Sequence, residues 1–314
     1  MAVESRGPSP PREGVAMQLG LVGLGRMGSG MRRRLRRRGH DVIGFDPHSA
    51  ASDVTSLEAL VQALSVPRTV WVMVPAGAPT REVIGQLSRM LSGGDRVVDG
   101  GNTRFTEDRI HAEILAHADI RLVDCGVSGG VWGEADGYAL MVGGHPTDVS
   151  DLMPIFEALC PDGERADSFV HAGPLGAGHY AKMVHNGVEY GLMQAYAEGF
   201  ELLAAEELIT DVPAVLRAWS RGTVVRSWLL DLLVDAVSDE DEFFRVSGYV
   251  EDSGEGRWTV EEALRHAVPV PVISAALFAR FASRQSDSPA MRAVAALRRR
   301  FGGHPVRTHR PPKE

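Results

Sequence analysis

The sequence predicts an α/β protein: a Rossmann-type doubly wound, mostly parallel sheet followed by an all-helical C-terminal domain. Three observations predict it. From Met17 to about Gly173, short apolar runs alternate with amphipathic stretches, the rhythm of βαβ units. Several runs are continuously apolar, as in strands buried on both faces. After Gly176 the alternation stops and long stretches of helical period take over.

In order, Gln18–Gly23 reads as a strand. Arg26–Arg38 reads as a helix, with Met27, Met31 and Leu35 stacked at spacing four. Val42–Phe45, Val70–Val74, Arg96–Asp99 and Arg121–Asp124 are further strands, with helices such as Thr106–His117 between them. Tyr138–Gly143 and Ser168–His171 are expected to be later strands of the same sheet. The helical half comprises Gly178–Glu207, Val212–Gly222, Trp228–Val237, Val260–Ala267 and Val272–Ser283. The glycine-rich Ala172–Gly178 marks the boundary, giving domains at 17–175 and 176–314. Residues 1–16, with three prolines and no apolar core segment, are expected to be a disordered extension, neither signal peptide nor anchor.

Of the 314 residues 44% are hydrophobic and 24% charged, the balance of a globular protein with a sizeable core. A net charge of −8 argues against nucleic acid or anionic membrane as partners. Six arginines between Arg32 and Arg38 are read as a solvated helix face opposite the Met27–Met31–Leu35 stripe. A second basic concentration starts at Arg298 and is read as a tail. Cys125 and Cys160 are too few for a disulfide framework and lack metal-ligand spacing, so reduced thiols, a cytoplasmic location and no metal are expected. No stretch approaches the ~20 apolar residues that span a bilayer.

Gly23-Leu24-Gly25-Arg26-Met27-Gly28 follows a strand and opens a helix. The first two glycines permit a tight turn and close approach of backbone to a pyrophosphate. The third lets helix pack on strand, and the helix N-terminus stabilises the negative charge. Asp46 ends the second strand, at the distance where a carboxylate accepts from the ribose hydroxyls and repels a 2′-phosphate. NAD is favoured over NADP, although His48 could offset part of that repulsion. Val74, Pro75 and Asn102, after later strands, are expected to line the same coenzyme.

Lys182, His185, Asn186 and Glu189 lie at offsets of three, four and seven, so they share one helix face. Met183, Val184, Val188 and Leu192 are expected to pack inward. A face of amine, imidazole, amide and carboxylate on so apolar a helix has to meet water, a partner or a ligand.

The run Lys182-Met-Val-His-Asn-Gly-Val-Glu-Tyr190 resembles the signature of 6-phosphogluconate dehydrogenases. Asp99-Gly-Gly-Asn102-Thr, Cys125-Gly-Val-Ser128-Gly129-Gly130, Gly256-Arg257-Trp258-Thr259 and Phe278-Ala-Arg280 resemble further motifs of that family. The likeness runs from about Gln18 to His304. The resemblance implies oxidation and decarboxylation of a phosphorylated sugar acid, with Lys182 as base and then acid, and Glu189 as the second proton donor. Asn102, Ser128, Gly129, Gly130, His185 and Asn186 would orient hydroxyls and carboxylate, and Tyr190, Arg257 and Arg280 would hold the phosphate. Long-form enzymes have lysine at Arg257, and a much larger helical domain than this chain supplies. By the same resemblance Arg298 and His304 reach the active site of a partner subunit in a homodimer or homotetramer. Two other readings stay open: a different β-hydroxyacid dehydrogenase, for which Arg257 and Arg280 would not matter, and a non-catalytic NAD-binding sensor.

Overall fold

The computed structural model describes residues 15–163 and 165–307. Most of the extension expected at 1–16, and the end of the basic tail, therefore lie outside the described residues. The chain forms two compact units, Met1–His185 and Asn186–Glu314.

The first unit begins with β1 (Gln18–Val22), α1 (Arg26–Arg37), β2 (Asp41–Phe45), α2 (Leu57–Ala63), β3 (Thr69–Val72) and α3 (Ala78–Met90). It continues through β4 (Arg96–Asp99), α4 (Phe105–Ala116), β5 (Arg121–Ser128), a 3-10 turn at Gly130–Trp132 and α5 (Gly133–Asp136). β6 (Ala139–Gly143), α6 (Pro146–Asp151), α7 (Met153–Leu159), α8 (Arg165–Ser168) and β7 (Phe169–Gly173) complete the sheet. Strand order is β2-β1-β3-β4-β5-β6-β7, parallel except where β6 pairs with β5. β1 sits where the winding reverses, so the turn after its C-terminal end opens into the crevice that ligands use in such sheets.

The expected strands and helices are present to within a few residues. Apolar side chains cover both faces of the sheet: Leu19, Leu21, Met31 and Leu35 join one core, and Leu60, Val70, Val72, Ile84 and Val97 the other. The antiparallel β6 is not visible in residue pattern, because a strand buried on both faces looks the same in either direction.

The arginine run is a solvated face only in part: Arg33, Arg36, Arg37 and Arg38 are exposed. Arg32 and Arg34 are buried. Arg34 donates to the carbonyls of Ala135, Ala158 and Cys160. Arg32 holds the Ala51 carbonyl and Asp53, Arg36 holds Asp53, and Arg33 and Arg37 grip Glu134. Long guanidinium side chains satisfy carbonyls at the C-terminal ends of α5 and α7 and in the loop after β2, which a pattern of charge alone does not reveal.

A 28-residue helix, α9 (Ala177–Ala204), carries the chain from the first unit into the second. The sheet ends at Gly173, yet the compact unit extends to His185 because the first turns of α9 pack on β5 and β6. The second unit adds α10 (Val212–Trp219), α11 (Trp228–Ser238), α12 (Glu240–Phe243), α13 (Glu255–Arg265), α14 (Pro271–Ser283) and α15 (Pro289–Gly302). Leu216, Leu230 and Val237 form one of its small cores; Tyr190, Ala276 and Leu277 form another. Arg298, expected in a tail, lies on α15. Among the described residues no helix is long and apolar enough to cross a membrane.

Candidate active site

The glycine turn closes after β1. Gly23 takes φ +94°, and its amide donates to the Phe45 carbonyl at 2.8 Å. A methyl group on Gly23 would meet the Met73 carbonyl at 2.5 Å, and one on Gly28 the Gly23 carbonyl at 2.0 Å. These two glycines are required by close packing of backbone on backbone. Gly25 differs: a methyl there would meet nothing within 4 Å. It is the N-cap of α1, and among the described residues no side chain caps that end. Open space beside uncapped helix amides is the form of a pyrophosphate cradle, so Gly23, Leu24, Gly25, Arg26, Met27 and Gly28 fit a dinucleotide.

Asp46 does more than the sequence suggested. One carboxylate oxygen accepts from the Leu24 amide at 2.8 Å, the other from the His48 amide at 2.8 Å. It therefore shapes the turn that would hold the coenzyme, and each oxygen retains a lone pair for a ribose hydroxyl. Val74 lies next to Gly23, with Cγ1 3.1 Å from where a Gly23 methyl would stand. Pro75 is exposed, and its carbonyl accepts from the Thr80 hydroxyl at 2.9 Å. The Val74 carbonyl approaches Gly101, so the loop carrying Asn102 runs alongside. Asn102 is exposed between the buried Gly101 and Thr103.

At the end of β5, Ser128 stands 3.5 Å from His185, Oγ to Nε2. Gly129 and Gly130 take φ of +140° and +56°, a turn that side chains other than glycine resist. The short α5 that follows is clamped on α1 by Glu134. Hydrogen bonds from Arg33 and then Arg37 hold the Glu134 carboxyl down at about 2. Sequence reasoning missed this clamp, which ties the Ser128–Gly130 loop to the coenzyme-binding helix.

Lys182 is only 8% exposed. A methyl on Gly126 would sit 2.4 Å from the Lys182 Cβ, and one on Gly178 would sit 2.3 Å from the Met141 carbonyl. Glycines on both sides thus seat the first turns of α9 directly on β5 and β6. His185 is exposed, and Asn186 and Glu189 half-buried, on the turns that follow. Of the residues expected to pack inward, Met183 does, but Val184, Val188 and Leu192 are 37%, 48% and 43% exposed. Their spacing of four makes an apolar stripe for which the described residues supply no full cover.

In the second unit Tyr190 is buried, with Gly256 against its ring. The Arg280 guanidinium lies 3.4 Å from the Tyr190 ring centroid and donates to the Glu251 carbonyl. Arg257 is bound by Asp252 at 2.8 and 3.0 Å and rests over Phe281. Arg284 holds the same carboxylate, and together the two arginines keep Asp252 well below the usual carboxylate range. Asp252 went unnoticed in the sequence, where nothing sets one loop aspartate apart. Arg298 and His304 are exposed.

Two buried triads, Asp99–Asp108–His111 and Asp108–Asp124–His179, bring metal-ligand atom types within 4.8 Å of one another. Asp108 and His179 face each other at 2.8 Å, the geometry of an ion pair around a shared proton.

Residues 18–170 match the NAD binding domain of 6-phosphogluconate dehydrogenase, and residues 178–304 match that enzyme's C-terminal domain. The NAD(+)-dependent, decarboxylating 6-phosphogluconate dehydrogenase of Haloferax volcanii is 43% identical over 302 residues, covering 92% of this chain and 98% of that one. A decarboxylating 6-phosphogluconate dehydrogenase of Synechococcus elongatus is 33% identical over 85% of this chain but only 61% of its own. In fold, the chain is similar to the Plasmodium falciparum 6-phosphogluconate dehydrogenase, with a TM-score of 0.72 at 23% identity over 95% of this chain and 67% of that one. It is also similar to a Mycobacterium tuberculosis 3-hydroxyisobutyrate dehydrogenase, with a TM-score of 0.65 at 23% identity over 90% of this chain and 100% of that one.

Proposed function

The chain belongs to the 6-phosphogluconate dehydrogenase family, and on that premise we propose how its residues divide the work of the reaction. The reaction is the oxidative decarboxylation of 6-phosphogluconate to ribulose 5-phosphate and carbon dioxide, with NAD as acceptor. Bound NAD supplies the two-electron acceptor for the hydride that leaves C3 of the substrate.

One observation carries the assignment of the base. Lys182 is the amine of the polar face, and it is withdrawn from water and seated on β5 by Gly126. That is the setting in which a lysine works as a base. Lys182 takes the proton of the 3-hydroxyl. It then returns that proton to the carbonyl oxygen as the β-keto acid loses carbon dioxide. Glu189, seven residues along the same helix, gives the proton that arrives at C1 of the product. Asn102, Ser128 and the Gly129–Gly130 amides, with His185 and Asn186, orient the hydroxyls and the carboxylate.

Arg280 is the better-fitted phosphate ligand of the two arginines. Among the described residues no carboxylate lies within ion-pair distance of it, whereas Arg257 is already engaged by Asp252. Cys125 and Cys160 are both buried and neither is in a disulfide, which supports a cytoplasmic location. The Val184–Val188–Leu192 stripe supports self-association, as a homodimer or homotetramer, and Arg298 and His304 would then serve a partner's substrate.

The test is reduced-nicotinamide absorbance with carbon dioxide release, for wild type and Lys182→Ala, with 6-phosphogluconate and either NAD or NADP. The expected result is matched turnover with NAD, lost in a variant that still binds NAD. Turnover by Lys182→Ala at the wild-type rate moves the base elsewhere.

A further inference from the structure

Five ionisable groups are buried together in the first unit, and the proposed reaction uses none of them. Asp99, Asp108 and Asp124 have no exposed surface, and His111 and His179 are 1% exposed. Withdrawing three carboxylates from water is costly, so their contacts carry information.

Those contacts converge on two places. Asp124, on β5, accepts from the Gly176 amide at 2.7 Å and from the His179 amide at 2.8 Å. It caps the entry to α9. Asp108, on α4, binds the His179 ring, Nδ1 to Oδ1 and Oδ2, at 2.8 and 2.9 Å. Asp99, at the end of β4, accepts from the Gly101 amide at 3.1 Å and the Thr103 hydroxyl at 2.8 Å, and its Oδ2 lies 3.6 Å from His111 Nδ1. The residue between Gly101 and Thr103 is Asn102; the residue one turn beyond His179 is Lys182. The cluster therefore grips both the loop and the helix that present polar groups to the substrate.

We propose that this buried cluster is a positioning device for the reaction, in which the Asp108–His179 ion pair and the Asp124 cap fix the turn of α9 that carries Lys182. The inference rests on the reading of Lys182 as the base. His179 is a positioning residue: it acts through the helix and not on the substrate. The charged and titratable groups facing it are Asp108 and His111 on α4, Asp99 at the end of β4 and Asp124 on β5. Burial alone would lower the His179 pKa, but the Asp108 carboxylate overrides it and raises it, while burial raises that of Asp108, so the two groups hold a proton between them more tightly than either would alone.

The experiment compares His179→Ala, Asp108→Ala, Asp108→Asn and Lys182→Ala, with 6-phosphogluconate as substrate, in kcat, substrate KM and NAD affinity. Asparagine keeps an acceptor for the His179 N–H and is the conservative rescue. In His179→Ala and Asp108→Ala the expected result is a loss of kcat of about a hundredfold, the scale of a misplacement near 1 Å. NAD affinity and KM should each stay within about threefold, because the groups that bind coenzyme and phosphate are untouched. Asp108→Asn should recover most of the lost kcat. NAD binding reports folding, and if His179→Ala does not fold, the two Asp108 variants carry the comparison alone. Full kcat in Asp108→Ala overturns the positioning role, as does equal damage to kcat and NAD affinity. Lys182→Ala separates the two ideas: activity there refutes the base assignment, whereas an inactive Lys182→Ala beside an unimpaired Asp108→Ala refutes only the positioning device.

Discussion

Gly126→Ala tests whether the seating of α9 on the sheet sets the rate. The new methyl would stand 2.4 Å from the Lys182 Cβ and 3.0 Å from the Gly178 carbonyl. Backbone lies on one side and the root of a side chain on the other, so no flexible end can swing away. Strand or helix must recede by about 1 Å to reach ordinary contact. Overpacking of this kind destabilises by about 1–3 kcal/mol. For a unit of this size each kcal/mol lowers Tm by about 2–4 °C. The kinetic effect should be larger, because a shift of about 1 Å in a reacting group costs about a hundredfold. The assay is kcat and KM from reduced-nicotinamide absorbance, with Tm and NAD affinity measured alongside. Gly199→Ala, on the same helix with nothing within 4 Å of its methyl, is the control. It should raise stability by up to about 1 kcal/mol and leave kcat alone. A Gly126→Ala variant with wild-type kcat and Tm would refute the argument that this seam positions Lys182.

Three other outcomes are expected. Asp46→Asn keeps an acceptor for the Leu24 amide but removes the charge and the acceptor of the His48 amide, so the preference for NAD over NADP should fall about ten- to a hundredfold in kcat/KM; an unchanged ratio would mean that Asp46 does not set the coenzyme preference. Arg280→Ala should raise the substrate KM about tenfold or more and leave NAD affinity as it is, the loss of one charged hydrogen-bonding group; the alternative of a non-phosphorylated substrate predicts no change. Glu134, held at about 2 by Arg33 and Arg37 against its ordinary 4.5, adds stability that is present above 4.5 and lost as pH falls toward 2. Thermal melts of Glu134→Gln should therefore lie below wild type at neutral pH and converge with it across that acid range.

Much of this protein is written locally. Alternating apolar runs specify the strands and crossover helices, because burial of a strand on two faces demands an unbroken apolar run. Gly23 and Gly28 specify the coenzyme turn, because a positive φ at Gly23 and a close carbonyl beside each leave no room for a side chain. The spacing of Lys182, His185, Asn186 and Glu189 specifies a shared face, because helical geometry fixes it from residue numbers alone. What depended on tertiary structure was the identity of partners far apart in the chain. The arginines of α1 read as a solvated face, yet Arg34 is buried on the carbonyls of Ala158 and Cys160, and the exposed Arg37 grips Glu134, all more than ninety residues away. The stripe of Val184, Val188 and Leu192 read as core by its period, yet periodicity cannot say whether the cover comes from the same chain. Asp99, Asp108, Asp124 and His179 look like four unrelated polar residues in sequence. Only the fold brings them into one buried cluster, because the pairing that makes a buried charge tolerable is a property of three dimensions.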